Sequence, residues 1–247
     1  MKRTLGTMSG VSRRDFVSGA SGLVVGGAVT AVAGRLLAPS ATPRLLEWGP
    51  DALVWNKVPV RSFALTTAPP VHPVISGTAV HNQLQAQAIA AGEEVYIRVQ
   101  WQDGREDNQI VKLTDFSDAV AIQFPRNRQP QTSSLMGTRD APVDIWYWKA
   151  SSGQAQNLVA EGPFTIVAAP TQDVEAVSRY KEGRWVVAFR RSRAPQDDQS
   201  VNLTGVKAIP VAFALWEGGN SEANGLKAVT VEAAQGRWIE LEFAEVS

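Results

Sequence analysis

The sequence predicts an all-β protein that folds as a single antiparallel β-sandwich. Three observations favour this fold class: short runs of alternating apolar and polar residues, proline and glycine at short intervals, and a near absence of helical periodicity over residues 45–247. The connections between the runs are short, which is typical of antiparallel neighbours. A closed barrel is the alternative arrangement of the same strands.

The clearest strand pair is a predicted hairpin. Apolar and polar residues alternate over 95–101, and the preceding residues 91–94 have the composition of a turn, so the first strand of the hairpin lies within 82–90. Further strand-like runs cover 118–124, 143–149, 163–167, 174–180, 184–190, 208–216, 226–231 and 237–243. About nine strands suffice for one sandwich domain over residues 45–247.

Residues 1–33 have the composition of an export signal rather than of the domain. Arg13 and Arg14 precede Phe16 and an uncharged, glycine-containing stretch that runs to position 34, and Ala31-Val32-Ala33 offers a cleavage site. The paired arginines resemble the twin-arginine motif, which predicts export to the periplasm. An uncleaved signal acting as a membrane anchor is the alternative, although the stretch is short and only mildly apolar for a bilayer span.

The charge balance and the missing cysteines exclude several classes of function. The chain has 24 basic and 24 acidic residues and no cysteine, and removing residues 1–33 leaves 20 basic and 23 acidic residues. Without cysteine there is no disulfide, no thiolate zinc site and no covalently attached c-type haem. A net charge of −3 for residues 34–247 gives no support to nucleic-acid binding.

Catalytic motifs are weak in this sequence. There is no nucleophile elbow, and His72 and His81 lack the spacing of a metal-binding pair. A pair of carboxylates that converges in the fold would still permit a hydrolase. Two long connections, 125–142 and 217–226, are better candidates for a functional site, because a sandwich does not need them for folding.

Met136 is the residue in these connections that suggests a prosthetic group. It is the single methionine left after residue 33, and it lies in a polar loop rather than on a strand. Gly137 follows it and would permit close approach of a flat group to the backbone. In the next predicted strand Trp146 and Trp148 share one face and Tyr147 the other.

These motifs resemble the haem-binding γ subunit of ethylbenzene dehydrogenase and its relatives, which include the dimethylsulfide dehydrogenase, selenate reductase and chlorate reductase complexes. The resemblance covers roughly residues 45–245 and is carried by three blocks: M-G at 136–137, V-x-I-W-x-W-K-A at 143–150, and W-E-G-G-N followed by N-G-L-K at 216–227.

The resemblance implies a β-sandwich that binds one b-type haem without covalent attachment. It implies Met136 and Lys227 as the two axial ligands of the iron, and Gly137, Trp146, Trp148 and Asn224 as further residues of the haem site. It also implies a non-catalytic electron-transfer subunit of a periplasmic molybdenum-containing oxidoreductase. The expected partners are an iron–sulfur subunit, a molybdenum subunit and a soluble periplasmic cytochrome.

Two alternatives stay open at the level of sequence. His72 or His81 could replace Lys227 as the second iron ligand. The chain could also be a carbohydrate-binding sandwich module, in which Trp146, Trp148 and Trp216 stack on sugar rings.

Overall fold

The computed structural model describes residues 48–245, so the predicted signal at residues 1–33 lies outside the described residues. Thirteen strands run through this part of the chain. In chain order they are β1 Arg61–Thr67, β2 Gln83–Ala91, β3 Glu94–Gln102, β4 Ala119–Pro125, β5 Val143–Lys149, β6 Ala155–Ala160, β7 Val167–Ala168, β8 Glu175–Tyr180, β9 Arg184–Ser192, β10 Ala208–Trp216, β11 Ala228–Thr230, β12 Ile239–Glu242 and β13 Ala244–Glu245. The helical elements are two 3-10 turns, Leu53–Lys57 and Gly218–Asn220, and one short α-helix, α1 Val231–Ala234.

The strands form two layers that are joined through β1. The first sheet has the order β1-β2-β3-β9-β8, and the second has the order β7-β6-β5-β4-β10-β11-β1. The N-terminal part of β1, Arg61–Ala64, pairs with β2, whereas Leu65–Thr67 pair with β11. All of these pairs are antiparallel. Strand β12 also pairs with β10 antiparallel, whereas β13 pairs with β2 parallel. The predicted antiparallel sandwich is confirmed.

Most of the predicted strands agree with the structure to within a few residues, and the 91–94 turn joins β2 to β3. The run at 163–167 is the exception. Only Val167–Ala168 are extended, because Phe164 adopts a positive φ of 67° that interrupts the strand. Strands β1, β6 and β13 and helix α1 were missing from the prediction. Among the described residues, no helix is long and apolar enough to cross a membrane.

The main core lies between the two sheets. It is filled from the first sheet by β2, β3 and β9 and from the second by β4, β5 and β10; its largest side chains are Trp101, Phe124, Trp146, Trp148, Trp185, Phe189 and Phe213. Trp148 packs edge-on against Trp185 with ring centroids 5.0 Å apart, so tryptophans of opposite sheets interlock. The outer face of the second sheet carries a separate apolar cluster around Ala121 and Ile145, and this face holds the cavity described below.

A buried ion pair crosses the edge of this core. Arg191 on β9 donates from Nη1 to Asp144 Oδ2 on β5 at 3.0 Å, and both side chains are fully buried. The same oxygen accepts from the backbone N–H of Val201 at 2.7 Å, and Arg191 also lies over the Trp146 ring. Burial raises the pKa of Asp144 to about 6, and Arg191 opposes that rise.

Replacing Arg191 with methionine should destabilise the fold by roughly 3–5 kcal/mol, because the Asp144 carboxylate stays buried without its counter-charge. The measurement is urea unfolding followed by tryptophan fluorescence. The matched control is Arg179→Met, whose ion pair with Asp51 is solvent-exposed and should contribute about 0–1 kcal/mol. Equal losses in the two variants would contradict the assignment.

Candidate functional site

A cavity of about 540 Å³ opens on the outer face of the second sheet. Its floor is made of small side chains on adjacent strands: Ala119, Ala121, Ala212 and Ala214. Ala121 on β4 is paired with Ala214 on β10, so two alanines lie side by side in this floor. Small outward side chains on neighbouring strands leave room for a flat ligand above the sheet, and the volume is within the roughly 300–1,000 Å³ typical of cofactor sites.

The first wall of the cavity is the loop between β4 and β5, which carries Met136. Met136 is half-buried at the cavity and adopts a positive φ of 75°. Gln123, an outward residue of β4, fixes this loop from both sides: its Oε1 accepts from the Met136 N–H at 3.2 Å, and its Nε2 donates to the Ser134 carbonyl at 2.9 Å. The Met136 carbonyl accepts from the Gly162 N–H at 2.8 Å. The methionine is therefore held by the sheet and by the next loop.

The opposite wall is the loop between β10 and β11, which carries Asn224 and Lys227. Asn224 has a positive φ of 54°, and its carbonyl accepts from Trp216 Nε1 at 3.2 Å and from Lys227 Nζ at 3.4 Å. The Lys227 ammonium also lies over the Trp216 ring, 5.2 Å from its centroid. Burial lowers the pKa of Lys227 to about 8, because its surroundings do not include an acidic partner that offsets desolvation.

The structure therefore brings Met136, Asn224 and Lys227 to one cavity, as the sequence motifs predict. Gly137 differs, because it does not line the cavity. A side chain at position 137 would meet the carbonyl of Ala141 at 3.0 Å and the backbone of Val143 at 3.1 Å. The glycine is needed for close packing of the loop on β5 and for its positive φ of 71°, rather than for contact with a ligand.

The structure also places Trp146 and Trp148 differently from the expected haem site. Both side chains are fully buried between the sheets and lie on the face of β5 opposite to the cavity. The alternation along β5 instead turns Tyr147 towards the cavity, where its ring packs edge-on against Trp216 with centroids 5.7 Å apart. The two tryptophans share one face of β5, as predicted, but that face packs in the core and not at the cavity.

Residues at the mouth of the cavity were not singled out from the sequence. Phe164 is 72% exposed and Ile166 is 50% exposed, and both border the cavity together with Val71 and Phe116. The signal that could have found them is the apolar composition of 163–167, which on its own predicts a strand. A rim of exposed apolar side chains around an apolar depression is typical of a ligand site.

The two histidines do not line this cavity. His72 is exposed, and its Nδ1 accepts from the backbone N–H of Val74 at 3.2 Å. His81 is buried elsewhere, beside Asp103 and Glu217. The structure thus places Lys227, and neither histidine, in the same cavity as Met136.

The W-E-G-G-N block at 216–220 forms the tight 3-10 turn that starts the lysine loop. Glu217 Oε1 accepts from the Gly219 N–H at 3.1 Å, and the Gly218 N–H donates to Asp118 Oδ1 at 2.9 Å. A side chain at position 218 would lie 2.5 Å from the Phe116 carbonyl oxygen, which belongs to the backbone. The glycines of this block therefore allow the turn to pack against the loop before β4.

Comparison with known proteins identifies the family. The profile of the ethylbenzene dehydrogenase family matches residues 52–167 and 162–228. The chain belongs to this family. It is 38% identical to the chlorate reductase γ subunit of Ideonella dechloratans over 195 aligned residues. The alignment covers 78% of this chain and 79% of that protein. The resemblance inferred from the motifs is confirmed.

Two further relatives of the family are 32% identical to this chain. The dimethylsulfide dehydrogenase γ subunit of Rhodovulum sulfidophilum matches over 193 residues, which is 74% of this chain and 72% of the relative. A putative respiratory nitrate reductase haem subunit of Haloferax mediterranei matches over 181 residues, which is 73% of this chain and 65% of the relative.

Among solved structures, a family 9 carbohydrate-binding module from Caldicellulosiruptor kristjanssonii, in complex with cellotriose, is similar at a TM-score of 0.46 and 9% identity. The match covers 78% of this chain and 86% of that one. A likeness this low carries no functional argument. Stacking on a sugar requires an exposed ring face, which the fully buried Trp146 and Trp148 do not offer.

Replacing Gly218 with alanine should destabilise the fold by about 1–3 kcal/mol, because the added Cβ meets a backbone carbonyl that cannot move aside cheaply. The matched control is Gly104→Ala, where the added Cβ meets nothing within 4 Å, and the expected change is within about 0.5 kcal/mol. Thermal and urea unfolding measure both. A loss at Gly104 as large as that at Gly218 would argue against this packing.

Proposed function

We propose that this chain is a b-type haem-binding electron-transfer subunit of a multi-subunit oxidoreductase. The observation that carries the proposal is the meeting of a thioether and a desolvated lysine, Met136 and Lys227, at one apolar cavity. The two residues come from separate loops and match the M-G and N-G-x-K blocks of the family. The names of the relatives support a haem group and an assembly with other subunits.

The residues of the cavity fit a haem. The alanine floor is flat and apolar, and Phe164 and Ile166 offer an apolar rim that would keep water from the group. Lys149 also lines the cavity and offers a cation to a carboxylate of the ligand. The absence of cysteine from the sequence requires non-covalent attachment, which means a b-type rather than a c-type haem.

The two proposed ligands differ in their chemistry. Met136 offers a soft thioether, which favours reduced iron and raises the potential of a haem. Lys227 can offer a lone pair only after it has lost its proton, and its lowered pKa reduces the free energy of that step. When bound, the haem supplies a group that accepts and releases one electron. The residues of the chain bind the haem and exclude water from it. None of them is proposed to bind a substrate.

We further propose the setting in which this subunit works. The twin-arginine motif at residues 13–14 supports export to the periplasm, with anchoring by an uncleaved signal as the alternative. The names of the γ-subunit relatives support assembly with other subunits. We propose that these partners are an iron–sulfur subunit and a molybdenum subunit, with a soluble periplasmic cytochrome as the exchange partner. In this setting the chain itself is non-catalytic.

The protein expressed with haem supply should show a low-spin b-type absorption spectrum. Met136→Ala and Lys227→Ala should each abolish the low-spin bands, because each removes one iron ligand. The control is Lys149→Ala, a cavity lysine outside the proposed ligand pair, which should keep them. A colourless wild type would overturn the proposed function, and unchanged bands in both ligand variants would overturn the ligand assignment.

Haem affinity should depend on pH through Lys227. Below a pKa of about 8 the free protein holds the side chain as an ammonium, so a proton must leave before nitrogen can bind iron. Affinity should therefore fall about tenfold per pH unit as pH drops below 8 and level off above it. Haem titration at several pH values measures this, and Lys227→Met should flatten the profile. A wild-type profile as flat as that of the variant would contradict it.

A further inference from the structure

Three buried side chains meet at one end of the sandwich, away from the Met136 cavity. His81 lies just before β2, Asp103 directly follows β3, and Glu217 directly follows β10. His81 Nε2 is 3.2 Å from Glu217 Oε2 and 3.9 Å from Asp103 Oδ2. The three elements belong to both sheets, and none of the three residues lines the Met136 cavity.

Each carboxylate of this group uses one oxygen for the backbone and presents the other to the site. Asp103 Oδ1 accepts from the Arg105 N–H at 3.0 Å, and Glu217 Oε1 accepts from the Gly219 N–H at 3.1 Å. Within residues 48–245, Asp103 Oδ2 is buried without a hydrogen bond, and the contact of His81 Nε2 with Glu217 Oε2 lacks the angles of a hydrogen bond. The Asp103 and His81 side chains are 1% and 6% exposed.

The surroundings add negative charge but no further open donor. Asp118 is satisfied by the N–H groups of Gly218 and Asp107 and by Trp185 Nε1. Glu222 accepts from the backbone N–H of Val80 at 2.8 Å. Burial raises the pKa of Asp103 to about 7, and the carboxylates of Asp118 and Glu217 add to the rise. Desolvation acts to lower the pKa of His81, but Glu217 and Asp103 raise it overall, so the group favours a cation at this position.

The donor set selects the type of cation. One imidazole nitrogen and two carboxylate oxygens suit a divalent ion of the zinc type, whereas Mg²⁺ and Ca²⁺ prefer oxygen ligands alone. Atoms bound tetrahedrally to one Zn²⁺ at about 2.1 Å lie roughly 3.4 Å apart. The separations of 3.2 and 3.9 Å are close to that value.

We propose that His81, Asp103 and Glu217 form a Zn²⁺ site in this protein. A separate cavity of about 520 Å³, bordered by all three residues and by Gln100 and Arg184, gives access for the ion and for a water as fourth ligand. The ion ties the ends of β2 and β3 to the end of β10. It also fixes Glu217, the residue that begins the loop carrying Lys227.

The test is Zn²⁺ titration of the full chain after removal of metals by a chelator, by calorimetry and by competition with a chromogenic chelator. The wild type should bind one equivalent, and thermal unfolding should shift to higher temperature with Zn²⁺. His81→Gln and Asp103→Asn should each weaken binding by about a hundredfold or more. Excess Mg²⁺ or Ca²⁺ should not compete.

The matched control is His72→Gln, which removes the other histidine, an exposed one, and should bind Zn²⁺ like the wild type. Circular dichroism checks that each variant folds. If a variant does not fold, the Zn²⁺-dependent rise in the unfolding temperature of the wild type still tests the zinc site. No Zn²⁺ uptake by the wild type would overturn the proposal and would mean that a protonated His81 bridges the two carboxylates. Equal loss in the His72 and His81 variants would also overturn it. Haem is not needed in these measurements, so their outcome is separate from that of the proposed function.

Discussion

The alternation of large inward and small outward side chains along β4 and β10, next to the inward tryptophans of β5, is the constraint on which both the core and the cavity depend. Inward positions of β5 carry Trp146 and Trp148, which fill the space between the sheets, whereas outward positions of β4 and β10 carry Ala121 and Ala214. Because the period of a strand is two, a register shift of one residue would move the tryptophans into the cavity and the alanines into the core. Stability and the shape of the site are therefore coupled through the same strand pairing.

The loops that carry the proposed ligands are fixed by polar contacts with that sheet. Gln123 faces outward from β4 and holds the backbone on both sides of Leu135, so the position of Met136 follows from the register of the strand below it. On the other side, the Lys227 carbonyl accepts from the Ala68 N–H at 2.9 Å, next to β1. Loops held in this way lose less conformational entropy when a ligand binds, which is the physical content of preorganisation.

The fold was predictable from sequence where alternation is strong, as in β3, β5 and β10. Strand β6 was missed because its residues Ala155–Ala160 combine polar and small side chains without a clear period. The family resemblance also pointed to Met136 and Lys227, and both residues line one cavity. Local motifs could not tell which face of β5 is the core, because alternation defines two faces and only the partner sheet decides between them. The meeting of His81, Asp103 and Glu217 depends on pairings between distant strands, for which the sequence contains no local signal.

The buried charges of this protein differ in how they are compensated, and this difference separates structure from function. Arg191 supplies the counter-charge of Asp144, whose Oδ1 is buried without a hydrogen bond, and three N–H donors surround Asp118, so the charge of each carboxylate is compensated within the fold. Asp103 and Lys227 are compensated less fully: within residues 48–245 the ion-pair contact of Asp103 is with His81 at 3.9 Å, and burial lowers the pKa of Lys227. Burying such groups costs free energy that a bound ligand can recover. The two incompletely compensated groups are therefore where bound ions, zinc at one and haem iron at the other, are expected.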